Sequence, residues 1–333
     1  MLTPYFPTMS EGTKGAKPVL ILEGVTKRYG EFTAVDDLDL EVPPGTIHGF
    51  LGPNGAGKTT TLRMILSIYR PTAGRIEVLG HSSALEVRER IGYLPEEKGL
   101  YKKMRAWSLV AYFGQLKGLD RRTAKSRAFE LLERYGLGEF SRHRCEALSK
   151  GMQQKVQVLA SIVHEPEFVI LDEPFSGLDP VNQDVMEGVI RDMRDTGRTV
   201  IFSTHVMEHA ERLCDRISLI AHGRKIFDGS LQEARSAMPR RLVIETDADP
   251  APLARVAGVR SIEPAPSGEG DAPNGRWELT LSQAARPDDV LAACFQEGIS
   301  LRSFDRNDPG LREVFIHLVG REGARDKVTE GGA

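Results

Sequence analysis

Residues 52–60 read GPNGAGKTT, after the apolar run HGFL and before TLRMILSIY. The stretch fits G-x-x-x-x-G-K-[ST] between an expected strand and an expected helix, the setting in which that pattern carries a mechanism. Gly52, Gly55 and Gly57 permit positive φ and close approach of the backbone. The loop Gly52-Pro53-Asn54-Gly55-Ala56-Gly57 then aims successive N–H groups at a phosphate-sized hollow, closed by a helix N-terminus. Lys58 brings a point charge to the β- and γ-phosphates. The hydroxyl of Thr59, which Thr60 follows, is placed to ligate Mg²⁺.

A second stretch, FVILDEP (168–174), is an apolar strand ending in two acids. Such a strand delivers them to the carboxyl edge of a sheet, where ligands bind in open α/β folds. Asp172 would hold Mg²⁺, directly or through water. Glu173 would stand beside a γ-phosphate and polarise the attacking water. Two solvated acids at a strand end are common. Their pairing with the phosphate loop and the break at Pro174 favour the chemical reading.

A third stretch, STHVMEH (203–209), contains H-x-x-E-H, a pattern of zinc proteases. Zinc would need a helix already running at His205, both rings facing one cavity, and a third ligand. TVIFS (199–203) reads instead as a strand and Ser203-Thr204 as a strand-to-helix turn, so a coincidental match is expected. His205 then falls at the end of that strand. His209 is expected beside the apolar stripe of the following helix, facing solvent. Glu208 falls in the first turn of that helix, where negative charge suits the helix dipole.

These residues need a sheet to bring them together. The runs VLILEGV (19–25), TIHGFLG (46–52), FVILD (168–172) and TVIFS (199–203) are nearly continuous in apolar character, as suits strands buried on both faces of a parallel sheet. Between residues 100 and 165 the pattern turns helical, in AWSLVAYFGQLKG, RTAKSRAFELLERYG and SKGMQQKVQVLASIVH. A helical subdomain inserted into an α/β core is the simplest account.

Past residue 240 the pattern restarts as strand RLVIET, helix PLARVAG, strand VRSIEP, loop PSGEGDAPNG, strand RWELTL, helix PDDVLAACFQEG and strand SLRSFD. That order, βαββαβ, matches the ferredoxin-like motif. A last helix, LREVFIHLVG (311–320), follows. Residues 1–17 are expected to be a flexible tail and residues 321–333 a disordered one.

The chain of 333 residues is 40% hydrophobic and 27% charged, ordinary for a soluble globular protein, with a net charge of −3. That balance offers no electrostatic reason to expect nucleic acid. Cys145, Cys214 and Cys294 lie far apart, without C-x-x-C spacing, and read as reduced thiols in a cytosolic protein. No run approaches a membrane span, and the N-terminus has no signal-peptide core. A membrane role is therefore expected only through a partner.

Further stretches join these in a fixed order. Together, over residues 18–235, they resemble the ATP-binding cassette of ABC transporters. Tyr29, in KRYGEFTAV, resembles the aromatic that stacks on adenine. LSKGMQQK (148–155) resembles the signature motif LSGGQ, SGLD (176–179) the D-loop, and His205 the switch histidine. The resemblance implies a P-loop NTPase fold with a RecA-like core and an inserted helical subdomain. It also implies ATP and Mg²⁺ as ligands, and a head-to-tail dimer with two ATPs between cassettes.

In that dimer Ser149, Lys150, Gly151 and Met152 of one copy face the phosphate loop of a second copy, or of a homologous cassette. Ser149 and Gly151 begin an expected helix, so their hydroxyl and N–H groups can meet a γ-phosphate in trans. Asp179 would couple the two sites. Lys150 and Met152 stand where the common motif has Gly and Gln. In GYLPEEKGLY (92–101), Glu96 stands where the family offers a glutamine, and a carboxylate is still a hard ligand for Mg²⁺.

The YLPEEKGLY form, the single cassette and the C-terminal domain are most similar to bacterial ABC-2-type exporters of the sodium-efflux-like group. The implied partner is a multispanning permease. Its coupling helix would meet Tyr101, Met104, Trp107, Tyr112 and Phe113, although these aromatics suit a subdomain core equally. The implied location is the inner face of the cell membrane. A soluble cassette acting on ribosomes or nucleic acid is the alternative, disfavoured by the single cassette and the absence of a basic tract. A cassette that binds without turnover is disfavoured by Glu173. The C-terminal domain could dimerise, sense a ligand or contact the permease.

Overall fold

The computed structural model describes residues 17–97, 99, 101–265, 275–282, 285–307 and 309–330. Nearly all of the expected N-terminal tail and of the loop PSGEGDAPNG lies outside them. The chain divides into two compact units, the first ending at Ser230.

The first unit runs β1 (Leu20–Tyr29), β2 (Phe32–Val42), β3 (Ile47–Leu51), α1 (Lys58–Ile65), β4 (Ala73–Val78) and β5 (Ile91–Leu94). It continues with α2 (Ala106–Leu116), α3 (Arg121–Arg134), α4 (Lys150–Ile162), β6 (Phe168–Asp172), α5 (Pro180–Asp195) and β7 (Thr199–Thr204). It closes with α6 (Met207–Leu213), β8 (Arg216–Ala221) and β9 (Arg224–Gly229).

A six-stranded sheet has the order β5-β6-β7-β3-β8-β9, parallel except for β9. Every residue of β3, β6 and β7 is buried, which explains their unbroken apolar runs. The run at 19–25 is different. It belongs to β1, the centre of a separate antiparallel sheet β2-β1-β4. The Gly30-Glu31 turn folds β2 straight back on β1, so pairing is local and antiparallel. The apolar character of β1 comes from a core shared with α1 and the larger sheet, including Leu20, Leu22, Leu38, Leu62, Phe168 and Ile201.

Helices α2, α3 and α4 pack on one another as the inserted subdomain. Asp120 starts α3 by accepting from the N–H groups of Arg122 and Thr123, at 2.9 and 3.0 Å. Trp107 of α2 stacks on Phe129 of α3, with centroids 5.5 Å apart.

The second unit contains α7 (Leu231–Ser236), β10 (Arg240–Glu245), β11 (Val259–Pro264), β12 (Arg276–Leu281), α8 (Pro287–Gln296), β13 (Ser303–Asn307) and α9 (Leu311–Glu330). Its sheet has the order β11-β12-β10-β13, antiparallel throughout, which is the split βαβ arrangement. The expected helix PLARVAG is only a 3₁₀ turn, Ala251–Arg255, hemmed between Pro250 and the left-handed Gly258. The last strand begins three residues later than expected. Helix α9 runs on through Gly320 to Glu330, over residues expected to be disordered. Arg, Glu, Ala and Lys in that stretch all favour helix.

Candidate nucleotide site

Three adjacent strands assemble the site. β3 lies between β7 and β8, and β7 between β3 and β6. Leu51 pairs with Thr204 and Asp172 with Ser203, so the carboxyl ends of the three strands fall in one row. The phosphate loop leaves β3, the acid pair closes β6 and His205 follows β7. Residues more than a hundred positions apart are thereby neighbours.

The loop 52–57 enters α1 through Gly57, whose φ of 99° is left-handed. A Cβ on Gly57 would lie 2.5 Å from the Ala34 carbonyl oxygen. Gly57→Ala is therefore expected to cost roughly 1–3 kcal/mol of stability and to weaken ATP binding. Thermal denaturation with and without MgATP reads both effects, and unchanged midpoints would oppose this reading of the loop. At the other end, a Cβ on Gly52 would meet the Ile220 carbonyl oxygen of β8 at 2.2 Å, so the loop can press against the sheet only as glycine.

Lys58 is buried and folds back over the loop. Its Nζ donates to the carbonyls of Gly52 at 2.8 Å and Pro53 at 3.1 Å, and lies 3.7 Å from Glu173 Oε1. Burial pulls the ammonium below its ordinary pKa, while Glu173, Asp172 and Glu96 oppose that shift. Asn54, Gly55 and Gly57 of the loop, with Lys58, Thr59, Thr60, Glu96 and Glu173, line a hollow of about 300 Å³.

Asp172 Oδ1 accepts from Thr59 Oγ1 at 3.3 Å and from the Ser203 hydroxyl. Burial pushes the Asp172 carboxyl above the usual carboxylate range, and these two hydrogen bonds partly offset it. Asp172 Oδ2 is buried with no hydrogen-bond partner among the described residues. An orphaned buried carboxylate oxygen beside a threonine hydroxyl fits a hard divalent cation.

Glu173 is buried, with φ at 49° in the left-handed region. Its N–H donates to Ser203 Oγ at 3.0 Å. Its Oε1 meets His205 Nδ1 at 2.9 Å. Ser203 thus serves both acids from the neighbouring strand. Sequence reasoning passed over this role, which arises only because β7 pairs with β6 and sets Ser203 opposite Asp172.

His205 precedes α6 and His209 lies within it, so the two histidines are not one helical turn apart on a common helix. Among the described residues no group of His, Cys, Asp and Glu forms a metal cluster. The expectation for His209 is corrected. It is not at the surface but 5% exposed, its ring stacked on Phe175 with centroids 4.1 Å apart. The segment after Glu173 folds over α6 and covers that position, which helix periodicity alone could not foresee.

Ser149 caps α4, accepting from the Met152 N–H at 3.2 Å, so Lys150, Gly151 and Met152 form the first turn. Ser149 and Lys150 are exposed and Gly151 is buried. Asp179 caps α5 ahead of Pro180, accepting from the Asn182 N–H at 3.0 Å. Tyr29 is 47% exposed and sets its edge on Tyr69, with Lys27 5.1 Å above its ring. The residues lining the hollow on that side are Phe32 and Ala34, which sequence reasoning did not single out. Phe32, 64% exposed, opens β2 three positions past Tyr29.

A Gly-rich strand-to-helix loop beside a strand-end acid pair on a parallel sheet defines a P-loop nucleoside triphosphatase. The comparisons with known proteins narrow the class. Residues 35–176 match the family model described as ABC transporter, and residues 229–319 match that of the ATP-binding protein DrrA1-3-like, C-terminal domain. The ABC transporter ATP-binding protein YhaQ of Bacillus subtilis is 36% identical, over 91% of this chain and 99% of its own. The daunorubicin resistance ATP-binding protein DrrA3 of Streptomyces coeruleorubidus is 37% identical, over 92% of this chain and 97% of its own. A solved ATP-binding subunit of an ABC transporter superposes with a TM-score of 0.61 at 28% identity, over 66% of this chain and 92% of its own. The chain belongs to the ATP-binding proteins of ABC transporters, and is an ATP hydrolase of that family.

Proposed function

We propose that this protein is the ATPase subunit of a bacterial ABC-2-type export system, closing as a dimer around two ATPs to drive a separate membrane permease. The observation that carries the catalytic part is the Glu173 carboxylate, 2.9 Å from His205 and 3.7 Å from Lys58 at the mouth of the phosphate loop. A relative named as a Nod factor export ATP-binding protein, 35% identical over 92% of this chain, supports the exporter part.

The loop N–H groups and Lys58 hold the β- and γ-phosphates. Glu173 accepts a proton from the attacking water, and its left-handed backbone aims the carboxylate off the strand end. His205 Nδ1–H donates to Glu173. The opposite ring nitrogen, Nε2, is left to meet the γ-phosphate. Thr59 and Asp172 would hold Mg²⁺, with Glu96 facing the same hollow, and the ion would offset charge on the phosphate oxygens. Ser149 and Gly151 offer a hydroxyl and an N–H at the start of α4 to the partner cassette's γ-phosphate, with Lys150 adding charge beside them. Asp179 links the two sites. Tyr29 with Phe32 would flank the base.

Among the described residues no helix is long and apolar enough to cross a membrane. The permease would place the subunit on the inner face of the cell membrane. A groove of about 640 Å³ lined by Met104, Trp107 and Tyr112, with Arg121, Arg122 and Lys125 at its rim, is the proposed seat of the permease. Coexpression with a candidate ABC-2-type permease of the same organism should yield a stable membrane-bound complex on affinity purification. A chain that hydrolyses ATP but is never retained by the permease would oppose the exporter reading.

A further inference from the structure

The second histidine of STHVMEH has no part in the chemistry above, yet it is built in with care. His209 stacks on Phe175, the rings 18° from parallel. Phe175 sets its edge on Phe202 of β7, with centroids 5.7 Å apart. It follows Glu173 by two residues and opens the segment leading to Asp179. Backbone bonds from Ser176 N to Glu173 O and from Leu178 N to Phe175 O, at 3.1 and 3.2 Å, make that segment a tight turn.

His209 is itself held from below. Arg212 Nη2 donates to its Nδ1 at 3.3 Å. Glu187 of α5, almost fully buried, lies 3.9 Å from His209 Nδ1 and pairs with Arg212 at 2.9 Å and Arg191 at 3.0 Å. Burial holds the His209 ring below its ordinary pKa, as fits a neutral imidazole accepting from Arg212. His209, Phe175 and Arg212, with Glu173 and His205, line one pocket of about 410 Å³.

We propose that His209 is a positioning residue for Glu173: its ring clamps Phe175, and Phe175 holds the carboxylate and the start of the turn to Asp179 in place. Glu173 needs such support, because a non-glycine residue at positive φ persists only where its surroundings over-determine it. The Ser203 bond fixes its amide, and the Phe175 stack fixes the chain just beyond it. The inference rests on the assignment of Glu173 as the base.

The test compares the full-length chain with His209→Ala, His209→Gln and His209→Phe. Gln keeps an acceptor for Arg212 without a ring, and Phe keeps a ring without an acceptor. A displaced carboxylate should lower kcat in the Ala and Gln variants by roughly ten- to a hundredfold, because misplacement by about 1 Å costs that order. KM and the affinity for a fluorescent ATP analogue should stay within about twofold. The Phe variant should recover most of the loss. Wild-type kcat in His209→Gln, a Phe variant no better than Gln, or affinity falling in step with kcat would each overturn the proposal. Glu173→Gln, assayed alongside, separates the two assignments: turnover retained there removes the base itself, whatever His209 does.

Discussion

Glu173→Gln is expected to reduce steady-state ATP hydrolysis by about 10²–10⁴-fold, the range supplied by a positioned general base. Gln is nearly the same size, so the left-handed backbone, the Ser203 hydrogen bond to its amide and the packing of Phe175 should persist. Lys58 keeps its bonds to the Gly52 and Pro53 carbonyls, so ATP should still bind. What disappears is the proton acceptor. Binding without turnover should trap the closed dimer, visible by size exclusion or light scattering in MgATP and absent in MgADP. Hydrolysis at the wild-type rate would show that another group takes the proton, and the reading of FVILDEP would fall with it.

Lys58→Ala is expected to act mainly by weakening ATP binding. The ammonium is buried and donates to loop carbonyls, so it is pre-placed at the hollow without nucleotide. A charge-assisted hydrogen bond contributes about 1.5–3 kcal/mol, so its loss should weaken ATP binding by roughly ten- to a hundredfold or more. Binding to the folded state raises stability by RT ln(1 + [L]/Kd). The rise in melting temperature that MgATP gives the wild type should therefore shrink in the variant at the same nucleotide concentration. An undiminished rise would mean that the loop N–H groups alone hold the phosphates. Glu173→Gln should keep that rise, so the two variants separate binding from chemistry.

How much of this was legible beforehand differs by element. β3, β6 and β7 were readable because strands buried on both faces leave unbroken apolar runs. The start of α4 was readable at Ser149, whereas the cap of α5 by Asp179 emerged only in the structure. β1 was readable as a strand but not as antiparallel, since apolar character reports burial and not partners. The extent of α9 and the 3₁₀ turn at Ala251–Arg255 turned on weak preferences near Gly and Pro, where a few tenths of a kcal/mol decide. Asp172 and Lys58 could be named from spacing. Ser203, which serves both acids, could not, because its importance arises only when β6 and β7 lie side by side.

STHVMEH shows the same division within seven residues. The strand character of TVIFS and the turn at Ser203-Thr204 were set by local sequence, and they sufficed to put His205 at a strand end and to dismiss a zinc helix. Whether His209 met solvent depended on what packs over α6, and the covering residue, Phe175, comes from the far side of β7. Periodicity marks a face of a helix but cannot see a segment that arrives from elsewhere in the chain. By itself the sequence determined the phosphate loop, the acid pair and the order of the motifs, since each rests on backbone geometry within a few residues. Only the tertiary structure decided the registry of three strand ends, the orphaned oxygen of Asp172 and the burial of His209, because these depend on contacts between segments the chain holds far apart.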